Sequence, residues 1–158
     1  MTEKEINGIV KTIANEISVN GNISLEKANM LIDAVKQKAS EMGLAVVVAV
    51  SNAGGNPVAV QCMDNAYIAS YDIAFNKAYT VVSLKMSTKQ LSGLSKPGDP
   101  LYGIQFTNNG RIVIFGGGVP LYDKFGRIIG GLGVSGGSEE QDTFLADFGG
   151  QYYNEHLQ

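Results

Sequence analysis

The sequence predicts an α+β fold: a mostly antiparallel five-stranded sheet with flanking helices. Three observations carry this. Two pairs of strand-like runs are joined by short turn-forming stretches, residues 52–57 and 123–126, and hairpins place neighbouring strands antiparallel. The strand–helix–strand alternation that a doubly wound parallel sheet needs is missing. Finally, 12 of the 20 glycines lie between Gly110 and Gly150, several inside apolar runs. Glycine weakens a strand, so such a cluster marks places where another backbone or a ligand comes close.

The elements follow in order. Ile6, Ile9, Val10, Ile13, Ala14 and Ile17 recur at helical spacing, Thr2 with Glu5 reads as a capping box, and Asn20-Gly21 ends the segment. A second helix starts after the N-cap Ser24, buries Ala28, Leu31, Ile32, Val35, Ala39 and Met42, and stops at Gly43. Residues 44–50 are continuously apolar, as a central strand covered on both faces would be, and residues 58–63 return as its hairpin partner. Asp64 or Asn65 caps a long third helix that runs to about Met86, with Ile68, Tyr71, Ala74, Phe75, Ala78, Val81 and Val82 at helical spacing. A short helix over 87–94 follows, and then a loop over 95–103 with two prolines and two glycines. Residues 111–115, 119–122 and 127–134 read as three more strands. Ser138 with Gln141 caps a last helix that turns Phe144, Leu145 and Phe148 inward. Hairpin-rich sheets of this kind usually carry their helices on one face or at the ends, which gives a profilin-like or PAS-like architecture. The chain reads as one domain over residues 1–158, with an N-terminal helical segment over about 1–22.

Composition narrows the function. The 158 residues are 44% hydrophobic and 17% charged, with a net charge of −3 and a pI near 5.1. That balance, without a basic patch interleaved with aromatics, argues against nucleic acid or an anionic membrane as partner. One cysteine makes no internal disulfide. The polar, acidic first residues lack the pattern of a secretory signal, and the longest apolar run is too short to cross a bilayer. A soluble cytoplasmic protein is expected.

Gly116-Gly117-Gly118 after an apolar run, followed by Val119-Pro120, is the leading ligand-binding candidate. Pro120 has no N–H to give a ladder, and glycines leave main-chain donors unshielded, so a carboxylate or phosphate could be held there. Lys77 would add an ammonium, and Asp64 would orient it or bind a ligand hydroxyl. The same two residues are the candidate acid–base pair if the protein is an enzyme. The competing account is that the glycines admit a neighbouring subunit or element. The glycines and acids over 136–142 suit a helix N-terminus. Cys62 shares a strand face with Val58 and Val60 and reads as a small buried hydrophobe. His156, the sole histidine, is the third residue from the end. One cysteine and one histidine make no tetrahedral metal site.

Five segments together resemble one family: Ser51-Asn-Ala-Gly-Gly-Asn56, Met63-Asp-Asn-Ala66, Phe75-Asn-Lys-Ala-Tyr-Thr80, Gly116-Gly-Gly-Val-Pro-Leu121 and Gly133-Val-Ser-Gly-Gly-Ser-Glu-Glu-Gln-Asp142. They are similar, in order and over about residues 23–148, to the GlcG/HbpS family, which includes the C-terminal domain of the PduO cobalamin adenosyltransferases. The resemblance implies an α+β fold and dimers or larger homo-oligomers. It also implies a small-molecule or tetrapyrrole ligand, haem or corrinoid, in the setting of glycolate, glycerol or propanediol utilisation. Adenosyltransferase activity resides in another PduO domain and does not carry over. Relatives commonly place an arginine where Cys62 stands, and no histidine precedes His156, so an axial haem ligand is not evident; Cys62, Met63, Tyr102 and Tyr122 are the side chains able to substitute. The sequence therefore points to a self-associating binding module built around Gly116–Pro120, with an enzyme using Asp64 and Lys77, or a scaffold of a metabolic assembly, as alternatives.

Overall fold

A computed structural model of the chain describes residues 1–18 and 21–158. The helix stop predicted at Asn20 and the side chains of Ala14 and Ile17 lie outside the described residues. Helix α1 (Glu3–Ser18) opens with the expected box: the Thr2 N–H donates to the Glu5 carboxylate and the Glu5 N–H to Thr2 Oγ1. Helix α2 (Leu25–Glu41) is capped by Ser24, whose hydroxyl accepts from the Lys27 N–H, and strands β1 (Val47–Asn52) and β2 (Pro57–Cys62) form the first hairpin. Helix α3 (Ile68–Leu84) and the short α4 (Thr88–Ser92) precede two 3-10 turns, Ile104–Phe106 and Asn108–Gly110. Strands β3 (Gly118–Tyr122) and β4 (Ile128–Ser135) form the second hairpin, and α5 (Glu139–His156) closes the chain behind the predicted Ser138–Gln141 box.

Among the described residues the sheet has four strands in the order β2-β1-β4-β3, every neighbouring pair antiparallel. The apolar run does form an interior strand, although its first three residues lie outside it. Its alternate residues serve two cores. Val46, Val48 and Val50 join Leu31, Ile32 and Val35 of α2 and Leu145 and Ala146 of α5 on one face. Val47 and Ala49 meet Ala74 and Ala78 of α3 on the other. Helices thus cover both faces, not one. Each fully buried Leu, Ile or Val contributes about 1.5–3 kcal/mol, so the α2/α5 face holds most of the apolar stabilisation.

The glycines of β4 explain how α3 lies on the sheet. A Cβ at Gly131 would strike the Ala78 carbonyl oxygen, and one at Gly133 the Ala74 carbonyl oxygen. The same face carries Ser51, which donates to the Ala78 carbonyl at 3.1 Å, and Ser135, which donates to Ser70 Oγ at 3.1 Å. Small residues let the helix backbone sit directly on the strands.

The fifth strand, predicted over 111–115, is absent. Backbone donors along and just after it go to side chains of the surrounding helices: the Val113 N–H to Thr80 Oγ1 at 3.0 Å, the Gly116 N–H to Glu139 Oε1 at 2.8 Å, and the Gly118 N–H to Thr88 Oγ1 at 2.8 Å. Residues 111–117 form a strap pinned by α3 and α5, followed by the α4 bond at Gly118; its end meets β4, where the Gly117 carbonyl accepts the Val134 N–H at 2.8 Å. The third helix begins later than predicted, because Asn65 takes a left-handed φ of 67° and spends the Asp64–Asn65 pair on a turn; Tyr67 is the N-cap. It ends at the left-handed Lys85, just short of the expected Met86. Phe144 is half-exposed, not inward, and lies with Phe148 under the Lys38 ammonium. Cys62 is exposed, not buried, since β2 is an edge strand that α3 only partly covers.

Candidate functional site

Lys77 is the largest fully buried side chain, at 0% exposure, an extreme environment for an ammonium. Helix α3 directs it beneath the strap. There Nζ donates to the Val134 carbonyl at 2.8 Å and to Asp142 Oδ2 at 3.1 Å, and lies 4.9 Å from the centre of the Phe115 ring. Asp142, in the first turn of α5, accepts the Gly137 N–H at 2.8 Å on its other oxygen. Gly117 admits the lysine. Its φ is +115°, and a Cβ there would stand 2.6 Å from Nζ. One ion pair therefore ties the strap, the end of β4 and the start of α5 together.

Burial sets the protonation of this pair. Desolvation lowers the Lys77 pKa, and the attraction and hydrogen bond of Asp142 partly offset it. Desolvation likewise raises the Asp142 pKa, against the pull of Lys77 and the Gly137 N–H. Above the ordinary value of 3.8, folded Asp142 keeps a proton that the unfolded chain has released, so stability falls as pH rises through its folded pKa. Below the ordinary value of 10.5, folded Lys77 has lost a proton that the unfolded chain keeps, so stability rises with pH across that window. Urea midpoints measured across pH should show both slopes, and in Asp142→Asn the acid-side fall should be lost, leaving the opposite rise that the lowered pKa values of Glu5 and Asp123 give. An unaltered acid-side slope in that variant would assign it to other carboxylates.

Arg111 opens the strap beside a second cluster. Its guanidinium lies 3.6 Å from the centre of the Tyr79 ring and 5.5 Å from that of Phe75, and its Nε donates to Asn76 Oδ1 at 3.3 Å. Asp72 fixes Asn76 by accepting from its Nδ2 at 3.1 Å. Phe115 itself is exposed. In the turns leading to Arg111, Gln105 Oε1 is buried without a hydrogen-bond partner among the described residues.

The structure brings Gly116, Gly117, Gly118 and Lys77 together, with Val119 and Pro120 half-buried beside them at the start of β3. Asp64 is not part of that group: it is exposed in the turn after β2, and the carboxylate that Lys77 takes is Asp142. The donors at Gly116 and Gly118 are engaged by Glu139 and Thr88. Sequence reasoning missed Arg111, Asp142, Glu139 and Thr88. Asp142 stands in the quoted Glu-Glu-Gln-Asp segment, yet it reads there as helix-end charge. Among the described residues no His, Cys, Asp and Glu form a metal-holding group. A separate cavity of about 350 Å³ lies against the β3–β4 hairpin, lined among others by Lys27, Asp123, Phe125, Arg127 and Tyr153, away from the strap. No described helix is long and apolar enough to cross a membrane.

Against known proteins, residues 23–149 match the family described as "Haem degrading protein HbpS-like". The chain is 46% identical over 125 residues to an uncharacterized 15.0 kDa protein in the dhaT-dhaS intergenic region of Citrobacter freundii, covering 79% of this chain and 87% of that one. It is 36% identical over 126 residues to the corrinoid adenosyltransferase PduO of the same organism, which is 80% of this chain and 37% of that protein. The chain thus spans little more than a third of that enzyme. A crystal structure of a PduOC:heme complex superposes with a TM-score of 0.78 at 36% identity, covering 82% of this chain and 94% of that chain.

Proposed function

The chain belongs to the HbpS-like family, and from that premise we propose that it is a self-associating binding module whose ligand is a tetrapyrrole, haem or corrinoid, or a small carboxylated metabolite. The observation that carries this reading is the strap: residues 111–117 are pinned at the Val113 and Gly116 donors by α3 and α5, and just beyond them at Gly118 by α4, yet display the exposed Phe115 ring and the stacked Arg111 guanidinium. A flat, apolar ligand with carboxylate arms suits such a surface. The hydrogen bond of Arg111 to Asn76 uses Nε, which leaves the Nη groups for a ligand carboxylate. Gly116, Gly117 and Gly118 keep the strap low, Val119 and Pro120 edge the site, and Lys77 holds it from beneath as a positioning residue. That burial also speaks for binding over catalysis, because Nζ is closed off from any substrate. The helices on both faces of the sheet favour the profilin-like form of the architecture.

The side chains present fit a tetrapyrrole through its ring face and carboxylates. They do not offer an imidazole at the strap: His156 lies exposed at the end of α5, and Met63 Sδ already accepts the Val46 N–H at 3.5 Å. Titration with hemin, followed by absorbance, should give saturable binding that Arg111→Ala weakens about 10-fold or more, since a hydrogen bond to a charged group contributes about 1.5–3 kcal/mol. The spectrum should be the same in His156→Ala. Equal hemin affinity in Arg111→Ala, or bis-histidine bands lost in His156→Ala, would contradict this site.

Self-association rests on exposed apolar surface at the start of α3. Ile68 is 97% exposed, beside the exposed Tyr67 and Tyr71. Sedimentation should give a species larger than the 16.8 kDa protomer, and Ile68→Asp should shift it toward that mass. A wild-type chain that sediments as a protomer at micromolar concentration would contradict the assembly.

A further inference from the structure

We propose that α1 is a docking helix that seats its aliphatic face in an apolar, helix-lined groove of a different protein. Ile6, Ile9, Val10 and Ile13 follow the i, i+3, i+4, i+7 spacing of one helical face, and they remain 43%, 48%, 56% and 47% exposed. None of them belongs to either core. The helix is nonetheless a built element, since its first turn is closed by the Thr2–Glu5 box. It also lies outside the family match, which begins at residue 23.

Three kinds of surface would cover such a face, and the sequence favours one. Helices that lie on anionic membranes carry a polar face rich in Lys and Arg. Here Lys4 and Lys11 are outnumbered by Glu3, Glu5 and Glu16. Pairing with α1 of a second copy gives a seam of about two heptads, short of the three to four that a coiled coil sustains. A groove encloses the face on more sides, and four aliphatic anchors on 16 residues match that helix-in-groove mode. The acidic first turn, Glu3 and Glu5, sets the expected complement: a cationic rim where the N-terminus of α1 enters.

The full chain carrying p-benzoylphenylalanine in place of Ile9 would be photo-crosslinked in cells of its source organism. The attached protein would be identified by mass spectrometry, then purified and titrated with the unmodified full chain and with Ile9→Glu. Saturable binding that Ile9→Glu weakens at least about 10-fold is expected, the loss that follows from unburying one aliphatic anchor. The oligomer mass of Ile9→Glu should equal that of the wild type. A crosslink only to a second copy, with a reduced oligomer mass in Ile9→Glu, would overturn the proposal. So would Ile9-dependent binding to phosphatidylglycerol vesicles without protein crosslinking, or a crosslinked protein that does not bind once purified. Hemin affinity is independent of all these outcomes, so this inference and the strap site can fail separately.

Discussion

Asp142→Ala is expected to destabilise the fold by about 3–5 kcal/mol, because it leaves the Lys77 ammonium buried without its anion. The Val134 carbonyl, the Phe115 ring and the longer-range attraction of Glu139 would remain, none of them a hydrogen-bonded anion. The loss reads out as a lowered urea midpoint at unchanged m-value. Lys77→Met combined with Asp142→Leu should recover most of it, since an apolar pair avoids desolvating either charge. That recovery separates a lock from a catalytic group. If the double variant is as unstable as Asp142→Ala, packing at these positions, and not the unpaired charge, sets the cost.

Gly133→Val is expected to cost about 3 kcal/mol or more, the upper range for overpacking, because the added atoms meet helix backbone and not a yielding side chain. The Cβ would strike the Ala74 carbonyl oxygen and stand 2.8 Å from the Ala78 nitrogen. To relieve this, α3 would have to lift from the sheet, carrying Lys77 with it. Gly150→Val, where an added Cβ meets only the Val119 side chain at 3.4 Å, is the matched control and should be tolerated far better. Equal stabilities for the two variants would show that α3 does not rest on β4 as described.

The parts of the fold legible in the sequence were those with local causes. Alternation and turn chemistry located both hairpins, and Ser24 and the Ser138–Gln141 box marked helix starts that the structure keeps. The clustered glycines were rightly read as sites of close approach, although in β4 the approaching group is α3 itself. What failed depended on distant partners. Residues 111–115 carry a strand's composition, but Thr80, Glu139 and Thr88 capture donors along and just after that stretch, and no single segment announces that. Lys77 was legible as a residue of interest. Its partner was not, because Asp142 stands 65 positions away. Arg111 reads as a strand end until Tyr79 and Phe75 are seen beneath it.

Hydrogen exchange with and without hemin tests the central claim, that the strap is the ligand site, most directly. Saturating hemin should slow exchange across residues 111–119, and Arg111→Ala should remove that protection at the same hemin concentration. Protection confined to the cavity around Phe125 and Arg127, with the strap exchanging as in the free protein, would contradict the account.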